Sequence, residues 1–104
     1  MRYVFEFVCG PLDGNALHYK DGDSELGDGA KAYRETRGGE IGRRFAVINP
    51  DTPANAKGEI DHLQEFIYQA TSVEVIRDKD VTIIRSEYVE PGELHDPSFH
   101  VENN

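Results

Sequence analysis

Residues 2–20 read RYVFEFVCGPLDGNALHYK, and this pattern predicts a β-hairpin. Side chains alternate between the two faces of a strand, so one face of the first strand is wholly apolar. Its members are Tyr3, Phe5, Phe7 and Cys9. Residues 10–14 (GPLDG) supply the turn, because proline presets a negative φ and glycine accepts a left-handed one. Leu17 and Tyr19 then share a face of the second strand, and we expect Cys9 to be a small buried side chain.

Two further strands are predicted in the middle of the chain. Residues 31–37 (KAYRETR) are interpreted as a polar strand, and residues 42–48 (GRRFAVI) as its neighbour. The pair of glycines between them is typical of a tight hairpin turn. In the second of these strands, alternation directs Phe45 and Val47 towards the core.

One segment favours a helix. Residues 59–70 (EIDHLQEFIYQA) carry apolar side chains at helical spacing, which would form a single stripe. The stripe consists of Ile60, Leu63, Phe66, Ile67 and Ala70. The run Phe-Ile-Tyr within this segment consists of strand-forming residues, so a strand remains the alternative.

A final hairpin is predicted from two β-branched runs. Residues 72–77 (SVEVIR) and 81–86 (VTIIRS) alternate apolar and polar side chains on either side of the sequence Asp-Lys-Asp. Pro91 and Gly92 are expected to end the last strand, because proline and glycine interrupt regular structure.

Together these elements predict an α+β fold. We expect an antiparallel sheet of about six strands in the order ββββαββ, covered on one face by a single helix; a small half-open barrel is the alternative. Residues 1–90 would form one domain, and residues 91–104 a polar C-terminal tail.

Charge is the strongest indication of function. Twenty Asp and Glu against eleven Lys and Arg give a net charge of −9 over 104 residues. Such a molecule repels nucleic acid and anionic membranes as a whole and attracts cationic protein surfaces. A single cysteine excludes an internal disulfide and a zinc site built on cysteines. The apolar stretch at the N-terminus is short and is broken by Glu6, so we expect a soluble, cytoplasmic protein.

The first turn carries a resemblance. Residues 10–14 (GPLDG) after an N-terminal strand resemble the G-G-P-x-D-G turn of a group of short uncharacterised bacterial and phage proteins. Cys9 stands where that pattern has its first glycine, and the resemblance covers about fifteen residues. It implies a bacterial or phage origin and assigns no site.

Known catalytic patterns are absent from the sequence. It contains no phosphate-binding glycine loop and no nucleophile elbow. The acidic segment does not follow the calcium-binding EF-hand spacing, since Leu26 and Ala32 occupy the positions that require Gly and Glu. Pro97 prevents His95 and His100 from facing one metal on a helix. We therefore predict no catalytic residue, no metal site and no cofactor.

The leading hypothesis is a small non-catalytic acidic protein that engages a basic protein surface. Its most specific form is a phage-type inhibitor that imitates nucleic-acid charge. The predicted contact residues are the acids of an exposed loop: Asp21, Asp23, Glu25 and Asp28. A secondary candidate surface is a basic hairpin formed by Tyr33, Arg34, Arg37, Arg43 and Arg44, where two strands and an aromatic ring could also contact nucleic acid. The alternative function is a small metal-dependent or hydrolase-like enzyme that uses carboxylates and histidines.

Overall fold

The computed structural model describes residues 1–49 and 63–95. Its elements follow the order ββαβββ, with one turn of 3₁₀ helix in the last hairpin. The strands are β1 (Arg2–Val8), β2 (Ala16–Lys20), β3 (Arg44–Ile48), β4 (Leu63–Ile76) and β5 (Val81–His95); the helix is α1 (Asp28–Glu35), and the 3₁₀ turn is Arg77–Lys79.

The strands form one sheet in the order β2-β1-β5-β4-β3. The predicted α+β class with a single helix against the sheet is confirmed. The predicted strand count and the purely antiparallel pairing are wrong. Within the described residues the sheet has five strands, and β1 runs parallel to β5 in its centre. The other pairs are antiparallel.

The N-terminal hairpin is confirmed in position. Phe5 lies opposite Leu17 and Tyr3 opposite Tyr19, as alternation requires. Phe5 and Phe7 are buried. The expectation for Cys9 is wrong, because β1 ends at Val8 and Cys9 turns outward with a φ of 64° and an exposed side chain.

The turn after β1 is held by the core. Leu12 is 2% exposed, and its N–H donates to the hydroxyl of Tyr68 at 3.0 Å. The same hydroxyl donates to the carbonyl oxygen of Cys9 at 2.9 Å. Gly10 has a φ of 70°, and a Cβ there would overlap the ring of Tyr88. Asp13 completes the turn by accepting from the Cys9 N–H at 2.7 Å. The GPLDG sequence is therefore explained by packing and turn geometry.

The predicted strand at residues 31–37 is wrong, because this segment belongs to α1 and its C-terminal cap. Ala30, Ala32 and Thr36 are the buried side chains of this segment. Arg37 takes a φ of 53°, and the Gly38 N–H donates back to the Tyr33 carbonyl at 2.8 Å. This is the usual left-handed end of a helix. The two glycines therefore follow a helix, and no hairpin joins this segment to β3.

The predicted helix at residues 59–70 is wrong over the part that the structure describes. Residues 63–70 form the first half of β4, whereas 59–62 lie outside the described residues. Phe66, Tyr68 and Ala70 are buried in alternation, which is a strand pattern. The strand prediction at residues 42–48 is confirmed as β3, with Phe45 and Val47 opposite Tyr68 and Phe66.

The last hairpin is confirmed, but its second strand is longer than expected. β5 continues through Pro91 and Gly92 to His95. Register shifts in the β4–β5 ladder, one of them between Gln64 and Phe66, accommodate this irregular stretch. The start of the predicted polar tail is thus part of the sheet. Residues 96–104 lie outside the described residues.

The helix α1 contacts both edges of the sheet. At its start, a Cβ on Gly29 would overlap the carbonyl oxygen of His18 on the edge strand β2. At its end, the Glu35 carboxylate accepts from the Ala46 N–H on the opposite edge strand β3 at 3.0 Å. Because one short helix touches both edges, the sheet must curl around it. The core between them is built largely from Phe5, Phe7, Phe45, Tyr68 and Ile84.

Candidate functional site

A concave acidic site lies beside α1, where β3, β4 and β5 come together. Its volume is about 590 Å³. We refer to it as the glutamate pocket, because its charged lining consists of Glu35, Glu65, Glu90, Glu93 and the single base Lys31. Four carboxylates against one ammonium leave a net charge of −3 on the lining.

Three separate elements supply these side chains. Lys31 and Glu35 lie one helical turn apart on α1, so they share a face. Glu65 is on β4, and Glu90 and Glu93 are on β5. Gly92 allows β5 to pass close to β4, since a Cβ there would lie 2.9 Å from the Cβ of Glu65. The sheet pairing and this glycine therefore bring the carboxylates together.

The lining of the pocket contains a close ion pair. The Lys31 Nζ donates to Glu65 Oε2 at 2.8 Å, and the Glu65 side chain is only 10% exposed. Burial lowers the pKa of the Lys31 ammonium, but the hydrogen bond and charge of Glu65, with the charges of Glu35 and Asp28, raise it on balance. Lys31 therefore stays charged and neutralises Glu65. The negative charges of Glu90 and Glu93 then have no opposite charge in the lining of the pocket.

Glu35 has a structural role as well. Its Oε2 accepts from the backbone N–H of Ala46, and its Oε1 lies 4.0 Å from Lys31 Nζ. The N–H of an edge strand would otherwise be open to another chain. Glu90 and Glu93 are exposed, so their carboxylates are the ones most accessible to a binding partner.

The four acids of the predicted loop do not line the glutamate pocket. Three of them are exposed and one is half-buried. Asp21 lies 3.6 Å from the amino group of Met1, and Asp23 accepts from the Lys20 N–H at 3.0 Å. The backbone carbonyl of Glu25 accepts from Arg34 Nη1 at 2.7 Å, which fastens the loop to α1. These three acids are exposed.

Asp28 differs from the other loop acids because it belongs to the first turn of α1. It is half-buried, and burial is the main cause that raises the pKa of its carboxyl group. The charge of Lys31 lowers this pKa, whereas the charge of Glu65 raises it further. The structure therefore places Asp28 next to the Lys31–Glu65 pair and away from the exposed loop.

The residues of the predicted basic hairpin do not form a hairpin. Arg34 and Arg37 lie on α1 and its cap, whereas Arg44 is on β3. Arg37 and Arg43 both approach Glu40, at 3.7 and 3.3 Å. This shared carboxylate reduces the positive potential that the sequence suggested.

Tyr33 is part of an aromatic cluster. Its ring centroid lies 4.7 Å from that of Tyr3 and 4.8 Å from that of Tyr19. Burial, together with the hydrogen bond to Tyr33, raises the pKa of Tyr3 to about 12. Tyr33 stacks on Tyr19 and meets Tyr3 edge-on, so the three rings pack α1 against β1 and β2.

Sequence reasoning missed Glu65, Glu90 and Glu93. Glu65 falls in the predicted helix, Glu90 at the end of the predicted domain, and Glu93 in the predicted tail. A usable signal is present in the sequence around Pro91 and Gly92, since two glutamates flank a break that commonly marks a bulge.

In the described residues, no group of three or more His, Cys, Asp or Glu side chains is arranged so that it could hold a metal ion. Across residues 1–49 and 63–95, no helix is long and apolar enough to cross a membrane. No protein-family model, curated protein or solved structure matches this chain.

Proposed function

We propose that this chain is a small non-catalytic acidic protein that binds a basic protein surface, with the glutamate pocket as its anchor. The observation that carries the proposal is the net charge of −3 on the lining of one concave site. A lysine or arginine side chain fits such a site because charge-assisted hydrogen bonds to carboxylates are short and strong.

The pocket already contains one example of the interaction. Lys31 reaches Glu65 at 2.8 Å, so an ammonium is accommodated against the wall of the site. A partner cation would approach from the outer side, where Glu90 and Glu93 are exposed. Arginine is favoured over lysine, because its planar guanidinium can bond two carboxylate oxygens at once.

The exposed loop acids have a second role in the proposal. Asp21, Asp23 and Glu25 lie in solvent and belong to no part of the hydrophobic core. Charges at the rim of an interface act mainly on the association rate and on specificity. We assign them to attracting the partner, whereas the glutamate pocket holds it.

The most specific form of the proposal is an inhibitor that imitates nucleic-acid charge. The carboxylates lie on an exposed loop, on one helix and on two strands, and the whole molecule carries −9. A protein site built for phosphates presents lysine and arginine side chains, which are the groups that the glutamate pocket suits.

A fluorescent peptide of eight arginines tests the pocket as an anchor. We expect Glu90→Gln/Glu93→Gln to weaken binding by about tenfold in anisotropy titrations, since two partly exposed charge pairs are worth about 1.4 kcal/mol together. The matched control is Glu74→Gln/Asp78→Asn, which removes the same charge near the β4–β5 turn. It should change the affinity by less than about twofold.

Equal weakening in the two variants would contradict the proposal, because binding would then follow total charge and not the pocket. Absence of binding between the wild-type protein and the peptide at low salt would also contradict the proposal. Thermal stabilisation by a divalent cation, lost in Glu90→Gln/Glu93→Gln, would instead favour the enzyme class.

A further inference from the structure

A second cavity lies beside Asp28 at the start of α1, and its chemistry differs from that of the glutamate pocket. It has a volume of about 270 Å³ and is lined by residues of β1, β2, β3 and the first turn. Its apolar walls are Phe7, Leu12, Leu17, Val47 and Ile48. Both edge strands of the sheet, β2 and β3, contribute side chains to its lining.

Asp28 supplies the one charged group of the lining, and Asn15 the one amide. Within the described part of the chain, no hydrogen bond or ion pair within 4 Å involves the Asp28 carboxylate. The nearest base, Lys31, is engaged by Glu65 at 2.8 Å. A half-buried carboxylate therefore borders an apolar space without a cation of its own, and desolvation disfavours its charge.

We propose that this cavity binds a small amphiphilic cation, with the apolar body between β2 and β3 and the ammonium on Asp28. The body would cover the partly exposed side chains of Leu17 and Ile48, which gains the hydrophobic free energy of removing their remaining surface from water. The ammonium would give Asp28 an ion pair within 4 Å, which Lys31 does not supply because it is bonded to Glu65. This inference does not depend on the proposed function, because it concerns a different cavity and a different ligand.

Size and charge narrow the ligand class. Sites for drug-sized molecules usually have about 300–1,000 Å³, so this cavity suits one ring or a short chain. An anionic ligand is disfavoured, since Asp28 and Glu65 are both close and the protein carries −9. A neutral ligand of the same shape would gain only the apolar contacts.

Amide NMR titrations with three probes of similar shape test the inference. The probes are phenethylammonium, 2-phenylethanol and 3-phenylpropionate, added to the whole protein at constant ionic strength. We expect phenethylammonium to shift the amides of Ala16, Leu17 and Ile48 and to bind about fivefold more tightly than the alcohol, as one partly buried charge pair allows. The propionate should bind most weakly.

Two variants complete the test. Asp28→Asn should abolish the preference for the cation and leave the weak binding of the alcohol. Asp78→Asn removes the same charge from the exposed 3₁₀ turn and should keep the preference unchanged. Equal affinities for the three probes in the wild type would overturn the inference, and so would shifts confined to residues outside the cavity or an unchanged preference in Asp28→Asn.

Discussion

The turn at residues 9–14 and the loop at residues 21–27 are built from similar sequences, yet they have opposite roles. Both are rich in glycine and aspartate, and each contains one leucine. Leu12 in the turn is 2% exposed, whereas Leu26 in the loop is 86% exposed. The turn belongs to the core, and the loop belongs to the surface.

The difference comes from partners that are distant in the sequence. The hydroxyl of Tyr68 bonds the Leu12 N–H and the Cys9 carbonyl, and the ring of Tyr88 packs against Gly10. The loop has contacts at its two ends, from Asp23 to the Lys20 N–H and from Arg34 to the Glu25 carbonyl. Glycine and aspartate therefore permit a tight bend in both segments. Only the turn is part of the hydrophobic core, because Leu12 and the Tyr68 hydroxyl are buried there.

The largest expected effect separates the two leucines. Leu12→Ala should lower the free energy of unfolding by about 2–5 kcal/mol, because a buried leucine leaves a cavity when it is truncated. Leu26→Ala should change it by less than about 0.5 kcal/mol, as is usual for exposed positions. Urea titrations followed by circular dichroism measure both. Equal effects would show that the turn and the loop do not differ as the structure indicates.

A smaller loss of unfolding free energy is expected when the Tyr68 hydroxyl, which bonds the turn, is removed. Tyr68→Phe leaves the Leu12 N–H and the Cys9 carbonyl without their partner, which should cost about 1–3 kcal/mol. The ring keeps its packing, so the change isolates the hydrogen bonds. Hydrogen exchange of the Leu12 amide should accelerate more than that of amides in β4. An unchanged unfolding midpoint would mean that water replaces the hydroxyl.

The contrast also shows what the sequence could predict. The hairpin β1–β2, the strand β3 and the hairpin β4–β5 follow from alternation and turn residues, which are local signals. The parallel pairing of β1 with β5 does not, because it joins strands from opposite ends of the chain and no local pattern records it. For the same reason the sequence predicted a purely antiparallel sheet.

The two wrong predictions, a strand at residues 31–37 and a helix at residues 59–70, have a physical cause. Residues 63–70 have apolar side chains compatible with both periods, and only the neighbouring strands β3 and β5 select the strand. In α1 the buried positions are alanines, which give a weak hydrophobic signal. Its better signals were the glycines after Arg37 and the i,i+4 pair of Lys31 with Glu35.

The candidate site was less predictable than the fold. The acidic loop was visible because its charges are adjacent in sequence, whereas the glutamate pocket collects side chains from α1, β4 and β5. Its formation depends on β4, which the sequence analysis assigned in part to a helix, and on the passage of Gly92 beside Glu65. The charge composition predicted that the site would be negatively charged, but it did not predict where in the fold the site lies.

A matched pair of aspartates refines the comparison further. Asp13 and Asp23 both accept from a backbone N–H, at 2.7 and 3.0 Å. Asp13→Ala should cost about 1 kcal/mol, because it releases Cys9, which has a positive φ, beside a buried turn. Asp23→Ala should cost less than about 0.5 kcal/mol, since water can reach the freed Lys20 N–H. Thermal unfolding of the two variants measures whether loss of this hydrogen bond destabilises the turn more than the loop.

The loop charges should contribute little to stability. The triple variant Asp21→Asn/Asp23→Asn/Glu25→Gln keeps the side-chain shapes, and the amide oxygen introduced by Asp23→Asn can still accept from the Lys20 N–H. The free energy of unfolding should change by less than about 1 kcal/mol, because exposed ion pairs such as that of Asp21 with the Met1 amino group contribute little. Urea titration measures this change.

The same triple variant should alter how fast a basic partner arrives. Stopped-flow association with the eight-arginine peptide should be slower than for the wild type at low salt, and the two rates should converge as salt is added. Screening explains the convergence, since the Debye length falls from about 10 Å at 0.1 M to about 3 Å at 1 M. The dissociation rate should change less, because Glu90 and Glu93 remain in the glutamate pocket. If the wild type and the variant associate at the same rate across this range, the loop is only a connector between β2 and α1, and attraction of the partner must come from the pocket itself.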